Sequence, residues 1–338
     1  MDSSLRRPLD GDLAALVAAS GAFGFAVVAA EPVAEEARRV YDSFIARGHH
    51  GPLRYLENWR TVRDNPQLLI EETDGGPAQS LIMALFAYPH PSQAVTSHPR
   101  VAHFAQAPVD YHTVIKQRLM PVAEAIGRRY DAATRVVTDS APLRERYWAE
   151  RAGLGRVTRN NHLTVPGYGA NFHIAAIVTA AALTPTAVTP LPDPCPPGCR
   201  RCVDACPTGA LRADGSCDAG RCLSTLTIEN ARANTRPVRG VYIFGCDLCR
   251  LACPLTAQGQ AAPTVTELTP SPELRQLLPS LDWRALTGGG FRRLFGQSCL
   301  RRCGLSGLRN TLSKMKQSES SEYSENSESS PHPTHQTP

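Results

Sequence analysis

Apolar residues recur at helical spacing near the start of the chain, where Leu13, Leu16 and Val17 share a face, and give way to a β-rich stretch at 23–29. Residues 11–30 are therefore predicted as a helix running into a strand. A second helix is predicted over 34–47, with Val40, Tyr41 and Phe44 on one side, ended by Gly48-His49-His50-Gly51. The apolar run 80–88 predicts a buried strand, stopped by Pro89 and Pro91. A helix over 112–130, a short strand over 135–138, a helix over 143–152 closed by Gly153 and an apolar strand over 172–182 follow.

Strands alternating with helices predict an α/β (α+β) domain over residues 1–185. A Pro-rich linker from 185 to 197 leads into a cysteine-rich segment, taken as a second domain over 186–262. A short helical segment is expected over 263–316. Residues 317–338 are Ser- and Glu-rich with almost no apolar side chain, a composition that cannot bury a core and predicts disorder.

Eight of the eleven cysteines form a pattern. Cys195, Cys199, Cys202 and Cys206-Pro207 make one run, Cys246, Cys249 and Cys253-Pro254 a second, and Cys222 stands between them. Two ferredoxin-type runs that each close on Cys-Pro exchange their last ligand. That rule assigns Cys195, Cys199, Cys202 and Cys253 to one 4Fe-4S cluster, and Cys206, Cys222, Cys246 and Cys249 to the other. Structural zinc is the alternative, but it usually takes its thiolates as paired knuckles. The Cys195–Cys199 interval is one residue longer than the usual run, with Pro196-Pro197-Gly198 to absorb it. Cys217 competes with Cys222 for the remote position; Cys222 is preferred because it opens the apolar stretch 223–228. Cys299 and Cys303 share a helical face and read as buried thiols.

Charge adds a possible partner class. The net charge is +5, but the last 22 residues hold four glutamates and no Lys or Arg, so residues 1–316 carry +9. A basic body attracts phosphate backbones, although ordinary solubilising charge gives the same sum. Arg200, Arg201, Arg232, Arg236 and Arg239 are candidates for such contacts. No charged and apolar leader opens the chain and no apolar run is long enough to span a bilayer, so a cytoplasmic protein with no membrane contact is expected.

Polar residues that could use the clusters' electrons gather in Asp110-Tyr111-His112, in Asp139-Ser140-Ala141-Pro142, and in the segment from Gly153 to Asn160. Asp139 follows a strand, where α/β sheets place ligands, and a buried carboxyl there can donate a proton. On spacing alone, capping of the helix that follows is the favoured reading.

These motifs, in this order, resemble the short form of the epoxyqueuosine reductase family. The likeness also rests on Arg-Gly-His-His-Gly-Pro-Leu-Arg-Tyr-Leu (47–56), Arg63 to Pro66, Glu145-Arg146, Ala152-Gly153-Leu154-Gly155, Arg221-Cys222, Thr227-Ile228-Glu229, Phe291-Arg292-Arg293-Leu294-Phe295 and Gly307-Leu308-Arg309-Asn310, and spans 11–316. The resemblance implies an N-terminal cobalamin-binding reductase domain, a ferredoxin-like double-cluster domain and a short helical C-terminal segment. It implies reduction of epoxyqueuosine to queuosine in the anticodon loop of tRNA, using cobalamin and two 4Fe-4S clusters, with electrons from an external flavodoxin or ferredoxin system. On the matching positions Asp139 would donate the proton, and Asp110 and His112 would line the catalytic pocket. Arg63, Arg146, Gly155, Arg159 and Asn160 would bind the cofactor, Arg146 at the corrin periphery and Gly155 by letting backbone approach the ring.

The chain departs from the family pattern at Arg156-Val157-Thr158-Arg159, at 170–176 including Ala176, and at Cys253-Pro254-Leu255-Thr256. An electron-transfer protein lacking cobalamin and a cobalamin-dependent reductase of a small molecule are the competing readings.

Overall fold

The computed structural model describes residues 9–70, 76–89 and 99–315. The predicted disorder of 317–338 and the strand-stopping Pro91 lie outside the described residues.

Helix α1 (Gly11–Ala19) starts at Asp10, whose carboxylate accepts a bond from the Leu13 amide, and leads into β1 (Gly24–Ala29). Helix α2 (Glu35–Ala46) and the short α3 (Arg60–Asp64) precede β2 (Ser80–Ala87). Val40, predicted on the packed side of α2, is 67% exposed. Tyr41 and Phe44, predicted on the same side, are half-buried, and the Tyr41 ring lies under the guanidinium groups of Arg60 and Arg144 at 4.5 and 4.4 Å. After the two-residue β3 (Arg100–Val101) come the long α4 (Tyr111–Tyr130), β4 (Thr134–Val137) and α5 (Glu145–Arg151). A small hairpin of β5 (Arg156–Val157) and β6 (Leu163–Thr164) precedes β7 (Phe172–Thr179).

The main sheet has the order β1-β2-β7-β4. All three of its pairings are antiparallel, so the ligand-site rule of parallel sheets does not explain the position of Asp139. Side chains alternate across β2: Ile82, Ala84 and Phe86 pack with α1 and α4, while Leu81, Met83 and Leu85 pack with α5 on the opposite face. Both faces are covered, which is why β2 reads as one continuous apolar run. Trp148, buried in the second of these cores, fixes α5; truncating such a side chain costs about 3–5 kcal/mol. The linker covers the open edge of β1, where the Thr186 amide donates to the Val27 carbonyl at 2.9 Å and the Thr186 hydroxyl accepts from the Val27 amide at 2.9 Å.

The cysteine-rich region is built from short helices: α6 (Arg201–Asp204), a π-helical turn at Thr225–Glu229, α7 (Leu248–Leu251) and α8 (Pro254–Ala257). Its strand β8 (Tyr242–Phe244) pairs in parallel with β3 and so joins this region to the first. Helices α9 (Pro272–Leu277), α10 (Gly288–Phe295) and α11 (Gly304–Lys314) share a core with β3 and β8 through Val101, Ile243, Phe244, Trp283 and Phe295. Among the described residues no helix is long and apolar enough to cross a membrane.

Candidate functional site

The two cysteine groups assemble from chain segments that only the fold brings together. Cys195, Cys199, Cys202 and Cys253 line one pocket, the set that ligand exchange between the two runs predicts. Burial and the neighbouring Cys253 push the Cys202 thiol up. In the second group, burial and the proximity of Cys222 and Cys206 push Cys249 up to about 12. Cys246 is raised by burial and by Cys249 and Cys222. Cys217 stands in the same group, pushed up to about 12 by burial and then by Cys222. Thiols crowded out of water resist ionising beside one another, and only a bound cation makes four thiolates in one such cage favourable. Gly245, directly before Cys246, has φ +72 and no room for a side chain, since a Cβ would lie 2.6 Å from that of Ala102.

Arg159 and Asn160, expected at a corrin, belong to the cluster region. The Arg159 guanidinium donates to the carbonyl of Cys199, and Asn160 Nδ2 donates to the carbonyl of Cys249 at 3.3 Å. Both line the first thiol pocket, together with Thr158 and Leu255, two of the positions that depart from the family pattern. Gly155 is also explained differently. A Cβ there would meet the Thr164 carbonyl at 2.6 Å, so pairing of β5 with β6 alone requires a glycine. Ala176 lies in the core between Met83 and Val137, while Arg156 pairs with Glu150 at 3.2 Å.

Asp139 is set by the end of β4. Thr138 is buried and its hydroxyl bonds to the Ile174 carbonyl of β7, and the chain then turns through Asp139 at φ +52. A left-handed conformation in a non-glycine residue costs about 1 kcal/mol or more and is held by its surroundings, here by the Glu145 carboxylate accepting from the Asp139 amide. Asp139 does not cap α5; Arg144 occupies that position and makes no side-chain capping bond. Its carboxylate, 60% exposed, opens into a cavity of about 460 Å³.

Asp110, Tyr111, His112, Asp139, Glu229 and Arg302 all line that cavity. Asp110 caps α4 by accepting from the His112 amide at 3.0 Å, and its Oδ1 lies 2.6 Å from His112 Nδ1. His112 Nε2 is 3.4 Å from Asp139 Oδ2, which also accepts from the Tyr111 hydroxyl at 2.7 Å. Burial alone would raise the Asp139 carboxyl, but the bonds from His112 and Tyr111 hold it at about 2. Burial would lower His112, but Asp110 and Asp139 outweigh it and bring the imidazole to about 9. Glu145 is pushed up to about 8 by burial and by Asp139.

Several parts of this site carry no signal in the sequence. The Tyr111 ring is sandwiched between His112 at 4.0 Å and His173 of β7 at 4.1 Å. His173 is buried, held neutral with its pKa lowered to about 3 by burial, and its Nε2 has no hydrogen-bond partner among the described residues. Arg302 grips Glu229 through two bonds of 2.7 Å at the cavity wall. Cys299 is buried as expected, yet forms part of that wall.

Of the remaining expected contacts, Arg146 donates to the Asn161 carbonyl and lies within electrostatic reach of Cys217, Glu145 and Asp139. Arg63 is one layer further out; it holds the carbonyls of Tyr55 and Asn58, and Tyr55 itself feels the charges of Glu229 and Asp139. Among the basic residues, Arg200 pairs with Asp204, and Arg232 and Arg236 hold the carbonyls of Cys303 and Gly220.

Comparisons with known proteins agree with this arrangement. Residues 195–256 match the family model for a 4Fe-4S double cluster binding domain, and residues 63–140, which end just past Asp139, match that of epoxyqueuosine reductase QueG, DUF1730. The epoxyqueuosine reductase of Leadbetterella byssophila is 32% identical over 305 residues, covering 89% of this chain and 96% of its own. That of Alicycliphilus denitrificans is 32% identical over 285 residues, 76% of each chain. The crystal structure of an epoxyqueuosine reductase with an epoxyqueuosine-modified tRNA-Tyr stem loop superposes with a TM-score of 0.72 at 25% identity, over 89% of this chain and 79% of that one. The Bacillus subtilis enzyme, seen with its aspartate catalytic loop swung out of the active site, gives 0.70 at 25% identity over the same shares. The chain is an oxidoreductase that belongs to the epoxyqueuosine reductase family.

Proposed function

We propose that the protein reduces epoxyqueuosine to queuosine at the wobble position of tRNA, with cobalamin held between the Asp139 cavity and the two 4Fe-4S clusters. The observation that carries this reading is that the Arg146 cation lies within electrostatic reach of Cys217 of the second thiol group and of Asp139 and Glu145 at the cavity. On this reading the electron source and the proton source are neighbours. The relative solved with a modified tRNA stem loop supports the substrate.

The residues present fit a corrin. Arg146 offers a planar, multidonor cation suited to amide and phosphate groups. The buried His173 Nε2, without a protein partner, marks an incompletely satisfied wall beside Tyr111. When bound, cobalamin would supply a low-valent cobalt centre that delivers electrons to the epoxide carbon; the protein supplies orientation and protons. Asp139 and His112 hold charge at the departing oxygen, Phe104 and Phe244 form the apolar side of the cavity, and Arg302, fixed by Glu229, stands at its wall. A base read within a loop has to be splayed from its stack to enter such a cavity. A flavodoxin or ferredoxin system is the proposed donor to the clusters, and the cytoplasm, where tRNA is modified, the proposed location.

Anaerobic protein reconstituted with iron, sulfide and cobalamin should convert epoxyqueuosine in tRNA to queuosine, read by nucleoside mass spectrometry. Retained clusters with no corrin absorbance in the protein fraction would refute the reading in favour of electron transfer alone.

A further inference from the structure

On the function proposed above, the epoxide oxygen leaves as water and an alkene forms, so each turnover takes up two electrons and two protons. The electrons have a visible route through the clusters. The protons have to come from the cavity, and a single carboxyl stores only one. Asp139 stores none at rest, because it accepts from the Tyr111 hydroxyl and faces His112, both of which favour its ionised form.

We infer that His112 is the proton store of this site, delivering through Asp139 to the departing oxygen, with Asp110 as the residue that orients it. The contacts run in one line: Asp110 Oδ1 to His112 Nδ1 at 2.6 Å, then His112 Nε2 to Asp139 Oδ2 at 3.4 Å. With Nδ1 engaged by Asp110, Nε2 is the ring nitrogen left beside Asp139, in ion-pair contact at 3.4 Å. The transfer is concerted: as charge develops on the departing oxygen, the Nε2–H bond breaks and the proton passes by way of Asp139 Oδ2 to form the O–H bond on the substrate oxygen, so that Asp139 never stands protonated in between. His112 is left neutral beside an ionised Asp139 and is recharged from solvent through the open cavity. A second pass supplies the second proton, and water leaves.

The charges around His112 favour this assignment. Its pKa of about 9 keeps it charged at neutral pH after burial has been outweighed by the two aspartates. Tyr111 is pushed far above the ordinary phenol range by burial and by Asp139, so its hydroxyl stays a bond donor and is not the acid. From β7, His173 presents a neutral ring. From α5, Glu145 bonds the Asp139 amide. From the turn at Cys299–Arg302, Arg301 acts on Asp110 and Arg302 on Asp139, and both favour the ionised carboxylates.

The test pairs a titration with a rate. NMR of the His112 ring in the intact protein should give a midpoint near pH 9, and Asp139→Asn should lower it by about one unit or more. A midpoint near the ordinary value, or one indifferent to Asp139→Asn, would overturn the relay. His112→Gln can keep a bond but cannot carry a proton. Its single-turnover rate at neutral pH should fall about 100-fold or more with iron content, corrin binding and KM retained, and should rise again as pH is lowered. His112→Asn serves if the glutamine variant does not fold. Wild-type protein that fails to convert epoxyqueuosine refutes the function proposed above, whereas active wild type with an equally fast His112→Gln refutes the relay alone.

Discussion

The cluster region and the Asp139 cavity both gather ionisable groups, but they balance them in opposite ways. In the cluster region the groups are alike: Cys202, Cys246 and Cys249 are each raised by burial and by other thiols, and the Arg146 charge that lowers Cys217 does not outweigh the burial there. In the cavity the groups are complementary: Asp110 and Asp139 are lowered, His112 is raised, and each partner accounts for the other. The first region is therefore an incomplete electrostatic unit that iron completes, while the second is complete without any added ion. Their dependence on iron should differ accordingly.

The largest expected effect follows from removing one thiolate. Cys249→Ser should lower iron from about eight to about four atoms per chain and abolish turnover, because one cage of the pair loses a ligand. The His112 titration in the same variant should be unchanged, since none of its partners is a cluster residue. A parallel change in both would show that the cavity depends on the cluster fold.

Asp139→Asn should come next. Turnover is expected to fall about 10² to 10⁴-fold with both clusters intact, the range for losing a general acid. Asparagine can still accept from Tyr111, so the loop should stay in place. Retained turnover would separate Asp139 from the chemistry and leave it a structural partner of His112.

The two regions also differ in how far the sequence announces them. Cluster ligation works through short turns closed by Cys-Pro, so spacing alone pairs Cys253 with Cys195, Cys199 and Cys202 across 51 residues of chain. It does not separate Cys222 from Cys217, because both fold beside Cys206. Cavity residues come from α4, β4, β7 and the turn at Cys299–Arg302, and no local pattern links them. Asp139 looks like a cap because Pro142 and a helix follow it; only its positive φ and the hydroxyl of Tyr111, 28 residues earlier, show otherwise. His173 is hidden inside an apolar strand, where a buried histidine reads as core. Arg302 looks like surface charge until Glu229 is found opposite it. Glycines mislead in their own way: Gly155 fits a motif, yet the carbonyl of Thr164 is sufficient reason for it. The longer strands and helices of residues 11–182 were legible to within about three residues, because their burial is two-sided or strongly periodic; the short α3, β3 and the β5–β6 hairpin were not. The antiparallel order of the sheet was not, since alternation of elements is compatible with either direction.

A moderate effect tests the seam between the regions. Arg159 acts on a predicted ligand through its backbone, donating to the carbonyl of Cys199. Arg159→Ala should speed loss of the first cluster by about tenfold, the lower range for a group that orients a ligand, and shift its reduction potential. Iron retention as tight as in the wild type would make Arg159 a surface tether only.

The smallest effect concerns stability and pH. His112 rises from an ordinary 6.5 to about 9 in the fold, so its contribution is complete below pH 6.5 and is lost as pH climbs through 9. Asp139 falls from 3.8 to about 2, so its contribution is complete above pH 3.8 and is lost as pH drops through 2. Both are therefore at full strength between pH 3.8 and 6.5. The alkaline arm is the one to measure, since acid also attacks the clusters. Asp139 is well exposed, and solvent screening limits the pair to about 1 kcal/mol or less. In a chain of this size that corresponds to a Tm difference of about 2 °C between wild type and His112→Gln at pH 6.5, shrinking toward zero above pH 9. Because the cavity balances its own charge, this difference should survive iron removal, whereas the stability of the thiol region should not.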